Sequence, residues 1–508
     1  MLFHAPIFLF VFLPVTLIGW ILVMKWGRPN YHIYFLCLAS IIFYGWWNVS
    51  YLWLLLTSIG LNYVIGVYIV KERGSHKSKK IVAFAIGANL LLLVGFKYAG
   101  MLSETLTWLT TIKIEVPVTE LPLGISFFTF LQIAYLIDLS KDDSSAPSFS
   151  KYFLFVTFFP HLIAGPLVHH KELIPQFDSE KKSVSWEGLS VGLTIFIIGL
   201  FKKLVLSQQV SVWSDAMFNG VAAGVTPSFI DSWVGVLSFT LQIYFDFSAY
   251  SDMALGLAKM FDIRLPENFN SPYKSTSIID FWRRWHITLS RFLRDYLYVP
   301  LGGNQNGQAQ QYVNLMVVML LAGLWHGASW QFVVWGGIHG IYLLVNHFWR
   351  KHSPWEIPYI LSIILTFTAV LIAWVPFRAV DMNSVMTIYN SMFGFNGVIL
   401  PEHYQSLFSN ELNSKFQKIG ITFGSLSLYG GGFQILHLFA LLCIVWFMPN
   451  TQQYMCNYQP CIVLTEIEPS RWKWNSGMVS SMIFGITAVY LILLAVQGKT
   501  GEFIYFQF

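Results

Sequence analysis

A chain of 508 residues with 55% hydrophobic and 17% aromatic side chains carries only 11% charged ones, against about 25% in a soluble domain. Its mean hydropathy of +0.56 leaves too little polar surface to cover a water-soluble globule, so the bilayer is the solvent for most of the chain. The net charge of +5 does not point to nucleic acid, because the basic residues fall in short loops between apolar runs, where they set topology. Without water each backbone polar group must be paired internally, which leaves helices or a closed barrel. The apolar runs last about 17–25 residues and do not alternate with period two, so the fold class is an all-α polytopic integral membrane protein.

The opening MLFHAPIFLFVFLPVTLIGWILVMKWGR lacks a basic leader and a small-residue cleavage site, and reads as a retained first span. Apolar runs predict further spans over 32–49, 51–70, 81–98, 120–138, 150–168, 187–206, 229–248, 357–376, 431–448 and 477–497. The stretch 312–348 is too long for one simple span. KERGSHKSKK at 71–80 carries five Lys or Arg and is expected on the cytoplasmic side. Counting back through three spans puts the N-terminus outside and Lys25 and Arg28 inside with the other basic loop.

Between 250 and 310 the character changes, and Arg264, Arg283, Arg284, Arg291 and Arg294 mix with aromatics. From Phe281 to Tyr298, apolar and basic residues recur at helical spacing, which predicts a helix in the interface or dipping in from the cytoplasmic side. An ordinary basic loop would instead expose Trp282, Trp285, Phe292, Tyr296 and Tyr298. With no repeat of 20–50 residues, the chain reads as one membrane-embedded domain over 1–508. Its parts are N-terminal helices (1–120), a core that holds the candidate residues (121–350), and C-terminal helices with an aromatic tail (351–508).

Val313 to Phe348 would form a helix about 54 Å long against a hydrocarbon core of about 30 Å. It must tilt strongly or break near Gly327. Gly323 and Gly327, then Gly336 and Gly340, have the spacing of closely packed helices. His326 sits near the middle, deep in the bilayer if the helix is single and near a surface if it turns back as a tight hairpin. An ionisable side chain inside a membrane is costly and is a functional candidate by default; histidine can take and return a proton near neutral pH. His339 is expected to make structural hydrogen bonds. His286, in FWRRWHITLSRFLRDYLYVPLGGN, is the second candidate, although a separation of 40 residues does not show that the two meet. Arg283, Arg284 and Asp295 pair with each other or with a charged substrate, since the arginine fork binds phosphate bidentately. Of the four cysteines, only Cys456 and Cys461 share a loop. Without a second ligand pair they read as free thiols, and no metal is expected.

FWRRWHITLSRFLRDYLYVPLGGN, followed by LAGLWHGASWQFVVWGGIHG, resembles the signature of the membrane-bound O-acyltransferase (MBOAT) family, in its bacterial cell-envelope branch. LPLGISFFTFLQIAYLID, FFPHLIAGPLVHHKELIPQF and IYFDFSAYSDMALGLAKMFDIRLPENFNSPY are similar to the alginate-type members, so the resemblance covers nearly the whole chain. It implies roughly 11–12 transmembrane helices, of the length a bilayer requires, with re-entrant or interfacial helices around a central tunnel. It implies catalytic roles for His326 and His286, with Trp282, Arg283, Arg284, Trp285, Asp295 and Trp325 as substrate-binding candidates. It also implies O-acetyl transfer at the bacterial inner membrane, from acetyl-CoA through a separate extracytoplasmic SGNH-type acetyltransferase to an exported or envelope polysaccharide. Alginate-like polymers, peptidoglycan and cellulose remain open as acceptors. The end, KTGEFIYFQF, reads as an interfacial aromatic anchor. It also resembles the F-x-Y-F carboxy-terminal motif of envelope acylation systems, which makes Tyr505 a possible acyl carrier. Asp246 and Asp252 read as structural ties between helices, and His161, His169 and His170 as interface residues outside the catalytic set. A proton-coupled transporter is the alternative of another class, with the same histidines and acids as relay groups; no inverted repeat favours it.

Overall fold

A computed structural model describes residues 1–28, 30–110, 112, 116, 120–141, 145–178, 184–424, 432–468, 470–498, 501, 503 and 504. The chain opens with four long helices: α1 (Phe8–Trp26), α2 (Tyr31–Gly45), α3 (Val49–Lys71) and α4 (His76–Thr110). The Ser75 hydroxyl accepts the Ser78 N–H to start α4, which satisfies one of the donors that a helix start leaves open. Far along α4, a π-helical turn at Val94–Tyr98 interrupts the regular winding. The bundle has two distinct ends. At the basic end, the Arg73 guanidinium donates to the Leu139 carbonyl at the close of α5 (Ile125–Lys141). At the far end, the Tyr51 hydroxyl donates to the Glu120 carbonyl just ahead of α5.

Over the predicted span 150–168 only α6 (Phe149–Thr157) is helical. Pro160 and Pro166 supply no N–H and push the residues before them out of the helical region, so residues 158–168 turn through the buried interior. The central antiparallel pair is α7 (Trp186–Ala222) and α8 (Phe229–Met260). Their backbones nearly touch, since a Cβ on Gly192 or on Gly256 would lie 2.6 Å from the other's carbonyl oxygen. The helix α8 opens on a reciprocal cap between Ser228 and Asp231. Its 32 residues run well past the predicted 229–248; at 1.5 Å each they reach about 48 Å. A π turn in α7 carries Lys202 and Lys203 onto it. Lys203 lies 2.7 Å from Asp246 and Lys202 2.6 Å from Asp252. Asp252 also accepts from Thr451 and Gln452. The two acids thus tie helices together, as the structural reading of the sequence has them.

The helix predicted over Phe281 to Tyr298 is broken into α9 (Ile278–Arg284) and α10 (Ile287–Leu293), with a π turn at Arg294–Tyr298. Trp285 is extended and bridges Phe269, and His286 takes φ 44°, ψ 53°. Hydrophobic periodicity continues across the break because neither residue is a glycine or proline. Trp282, Trp285 and Phe292 are buried, so the segment dips into the bundle.

The overlong 312–348 stretch is a hairpin of α11 (Gln308–His326) and α12 (Trp330–His352), broken at Gly327. A Cβ on Gly323 would lie 2.1 Å from the Phe332 carbonyl oxygen, and one on Gly336 2.2 Å from that of Met319. The paired glycines therefore seal the hairpin against itself. The remaining helices of two turns or more among the described residues are α13 (Tyr359–Arg378), α14 (Met382–Met392), α15 (Asn410–Lys418), α16 (Gly432–Phe447) and α17 (Met478–Val496). The parallel pair β1 (Val398–Pro401) and β2 (Ile421–Gly424) brackets α15. By length and composition, six of the described helices can cross a membrane alone: α1, α3, α4, α7, α13 and α17.

Candidate active site

Both candidate histidines stand where a helix breaks. His326 is the last residue of α11, so it does sit at a turn, yet it is only 6% exposed. Trp325, Trp335 and Phe377 bury it, with ring centroids 4.8, 5.0 and 5.1 Å away. It lines a cavity of about 500 Å³ at the far end of the bundle, together with Trp47, Lys97, Gly124 and Trp325. Lys97 Nζ donates to the carbonyls of Trp325 at 2.5 Å and His326 at 3.2 Å, and the Tyr98 hydroxyl donates to that of Leu324 at 2.9 Å.

His286 is fully buried. Its left-handed backbone is a conformation rare outside glycine and characteristic of functional sites. Its Nδ1 lies 3.1 Å from Asn268 Oδ1, which also accepts from the Thr288 hydroxyl, while Asn268 Nδ2 donates to Ser251. With the amide so oriented, the Nδ1 hydrogen is donated to Asn268. A neutral His286 then presents Nε2 as an acceptor, and this atom has no hydrogen-bond partner among the described residues. The neutral ring is thus arranged to receive a proton or a hydroxyl through Nε2, and not to donate from it. Trp325 stands between the two histidines, 6.0 Å from His286 and 4.8 Å from His326 by ring centroids.

A second cavity, about 960 Å³, opens toward the basic end and is lined by Trp282, Arg283, Arg284, Arg291, Arg294 and Tyr298. The helix α11 links the two cavities, with Leu315 and Met319 lining this one and Trp325 and His326 the other. Arg284 is held 2.9 Å from Asp280 and Arg291 2.6 Å from Glu172. Asp295 does not pair with Arg283 or Arg284, as the sequence allowed. It pairs with its neighbour Arg294 at 2.7 Å, and Arg291 lies 3.8 Å away, one helical turn back. Arg283 makes no ion pair or hydrogen bond among the described residues and faces the cavity exposed. Trp285 lines neither cavity. It is packed among Phe269, Tyr273, Phe281 and Trp374, a structural position.

Between the cavities stand Trp335 and His339, both fully buried. Ring contacts run from Trp282 to His339 at 5.1 Å, to Trp335 at 4.9 Å, and on to His326 at 5.0 Å. Two cavities thus enter from opposite ends of the bundle toward one series of rings, and they share no lining residue. Neither ring nitrogen of His339 has a hydrogen-bond partner among the described residues, contrary to the structural role expected of it. The indole nitrogens of Trp282, Trp325 and Trp335 likewise have none. Buried polar groups are normally satisfied, so these unpartnered donors stand out along the ring series that leads to His326.

Sequence reasoning missed Lys97, Asn268, Trp335 and the function-side placement of His339. Only Lys97 carried a local signal, a lone cation in LLLVGFKYAG, and a lysine near a span end ordinarily reads as reaching for the interface. The tail reaches the site too. The Ile504 N–H donates to Asp246 at 2.9 Å, and Phe503 stacks on Tyr250 at 4.6 Å and meets Phe247, which abuts His286 at 4.7 Å. Tyr505 lies outside the described residues. The four cysteines are unbridged, and no group of three or more His, Cys, Asp or Glu among the described residues is arranged to hold a metal ion.

Comparison with known proteins adds chemistry to this geometry. Residues 41–385 match the MBOAT, membrane-bound O-acyltransferase family. The peptidoglycan O-acetyltransferase of Helicobacter pylori is 41% identical over 431 residues, covering 79% of this chain and 81% of the relative. The probable alginate O-acetylase of Pseudomonas putida is 34% identical over 519 residues, the full length of both. The teichoic acid D-alanyltransferase of Bacillus subtilis is more distant, 26% identical over 264 residues, or 48% of this chain and 65% of the relative.

Proposed function

The chain belongs to the membrane-bound O-acyltransferase family, a multi-pass enzyme of the bacterial inner membrane, and from that premise we propose that it carries acetyl groups from cytoplasmic acetyl-CoA to an exported or envelope glycan. One observation carries the reading: a cavity from each end of the bundle meets the same series of rings around His326. The basic end is cytoplasmic by the distribution of Lys and Arg, so the arginine-lined cavity receives the anionic coenzyme. Arg283, without a partner among the described residues, is the arginine best placed to take a phosphate.

At the ring series His326 acts as general base. It takes the proton of the attacking hydroxyl as the new C–O bond forms at the thioester carbonyl. The tetrahedral oxyanion accepts from indole N–H groups of Trp282, Trp325 or Trp335, which lack acceptors among the described residues. Collapse breaks the C–S bond, and the proton held on His326 passes to the departing thiolate. His286, fixed by Asn268, leaves Nε2 as an acceptor for the proton released in the onward transfer. Tyr505 is the proposed first acceptor: the tail is seated by Ile504 and Phe503 on α8 beside His286, and an acylated phenol is a good leaving group for onward transfer. A separate SGNH-type acetyltransferase then receives the acetyl group outside the membrane.

An alginate-like exported polysaccharide is the first reading of the final acceptor. Peptidoglycan is the second, favoured by the 41% identity to a relative of that name. The test is cleavage of acetyl-CoA by purified protein in liposomes. The His326→Ala variant is expected to lose at least about 100-fold in rate, the scale of a general base. Undiminished cleavage by that variant refutes the assignment. Full polymer acetylation in cells carrying Tyr505→Phe removes the carrier role.

A further inference from the structure

We propose that Lys97, together with Tyr98, is the positioning residue that holds the end of α11 so that His326 faces its substrates; this rests on His326 being the general base. A helix leaves its last four carbonyls without intrahelical partners. In α11 these belong to residues 323 to 326, and no backbone N–H closes this end among the described residues. Three of the four are taken by two side chains from α4, with Leu324 bonded by Tyr98 and both Trp325 and His326 by Lys97. The clamp leaves α4 at the π turn of Val94–Tyr98, a distortion that recurs at functional sites.

The choice of a lysine follows from what must be held. One ammonium carries three N–H donors, so a single side chain reaches two consecutive carbonyls. The C-terminal end of a helix is its negative end, and a cation placed there is favourable. Among the described residues Lys97 has no acidic partner; besides the two carbonyls it meets the ring of Tyr98 at 6.0 Å. A cation in an apolar span is expensive to place, and here its contacts converge on the main chain of the proposed base. Rotation or fraying of the last turn of α11 would swing the imidazole away from the thioester. Misplacement on the scale of an ångström costs about 100-fold in rate. The donor cavity lies at the opposite end of α11, so loosening this end leaves coenzyme binding intact.

The experiment uses the full chain in liposomes, with acetyl-CoA as the probe and Lys97→Met, Lys97→Arg, Tyr98→Phe and His326→Ala compared. Lys97→Met is expected to lower kcat by about 30- to 100-fold, with the KM for acetyl-CoA unchanged. Lys97→Arg restores about tenfold of that loss, because a guanidinium also donates to both carbonyls. Tyr98→Phe lowers kcat by several-fold at an unchanged melting temperature. Wild-type kcat in Lys97→Met, or no rescue by arginine, overturns the proposal. So does a loss that appears in KM instead of kcat. If Lys97→Met does not fold, Tyr98→Phe decides, and wild-type kcat there overturns the proposal. Full activity in His326→Ala defeats the assignment of the base, whereas full activity in Lys97→Met beside an inactive His326→Ala defeats only the clamp.

Discussion

Gly323→Ala tests whether the hairpin seam sets the position of His326. The added Cβ would sit 2.1 Å from the Phe332 carbonyl oxygen, where ordinary contact begins at 3.4 Å. That oxygen is backbone and has no rotamer into which it can retreat. The two helices must therefore separate by about an ångström or more, a displacement that costs about 100-fold in rate when it reaches a reacting group. His326 lies three residues beyond Gly323 on the same helix. Overpacking of this kind also costs about 1–3 kcal/mol of stability. Gly337→Ala, on the other helix of the hairpin, is the matched control: its Cβ would meet only Leu320 Cδ2 at 3.6 Å, an ordinary contact. It is expected to leave activity unchanged and to gain up to about 1 kcal/mol from helix propensity. The assay is acetyl-CoA turnover in liposomes beside thermal unfolding in detergent. Wild-type turnover and melting temperature in Gly323→Ala would refute the reasoning, and so would equal losses in both variants.

Asn268→Ala removes the acceptor for the Nδ1 hydrogen of His286 and strands the Thr288 hydroxyl. It is expected to cost about 1–3 kcal/mol of stability and to lower turnover, whereas Asn268→Asp, which keeps an acceptor oxygen, retains most of both; thermal melts and steady-state rates check this. Arg283→Ala should raise the KM for acetyl-CoA about tenfold through loss of a phosphate contact, with little change in kcat, and the effect should be absent with a donor thioester that lacks the nucleotide. Trp335→Phe keeps the ring in the wall but deletes an indole N–H that has no partner among the described residues. Turnover should fall about 100-fold, as when an oxyanion donor is lost, without loss of stability.

The membrane class, the paired glycines and the buried place of His326 were legible in the sequence because each is a local anomaly: an apolar excess, a spacing of four, an ionisable group in a costly place; His286 came forward only through its motif. The break after His326 was half legible, since length demanded a break or a tilt and Gly327 marked the spot. The break at His286 was not, because no glycine or proline announces it; the left-handed backbone is imposed by Asn268, whose main chain and side chain bond the residues that follow the histidine. Lys97 meets the end of α11 across more than 220 positions of sequence, and helical periodicity carries no information at that range. His339 looked like a core histidine, and only the lack of any nitrogen partner among its neighbours separates it from one.

The wall of Trp335 and His339 also has an electrical consequence. Two cavities that enter from opposite ends bring solvent toward it from both sides, so in the proposed arrangement the membrane voltage falls mainly across the rings between them. Moving one elementary charge through that drop involves about 2.3 kcal/mol per 100 mV. In the proposed transfer the acyl group moves from sulfur to oxygen as a proton returns from oxygen to sulfur, so no net charge crosses, while the charged coenzyme stays on the arginine side. Transfer across the wall is then expected to proceed at the same rate whether the membrane is energised or not.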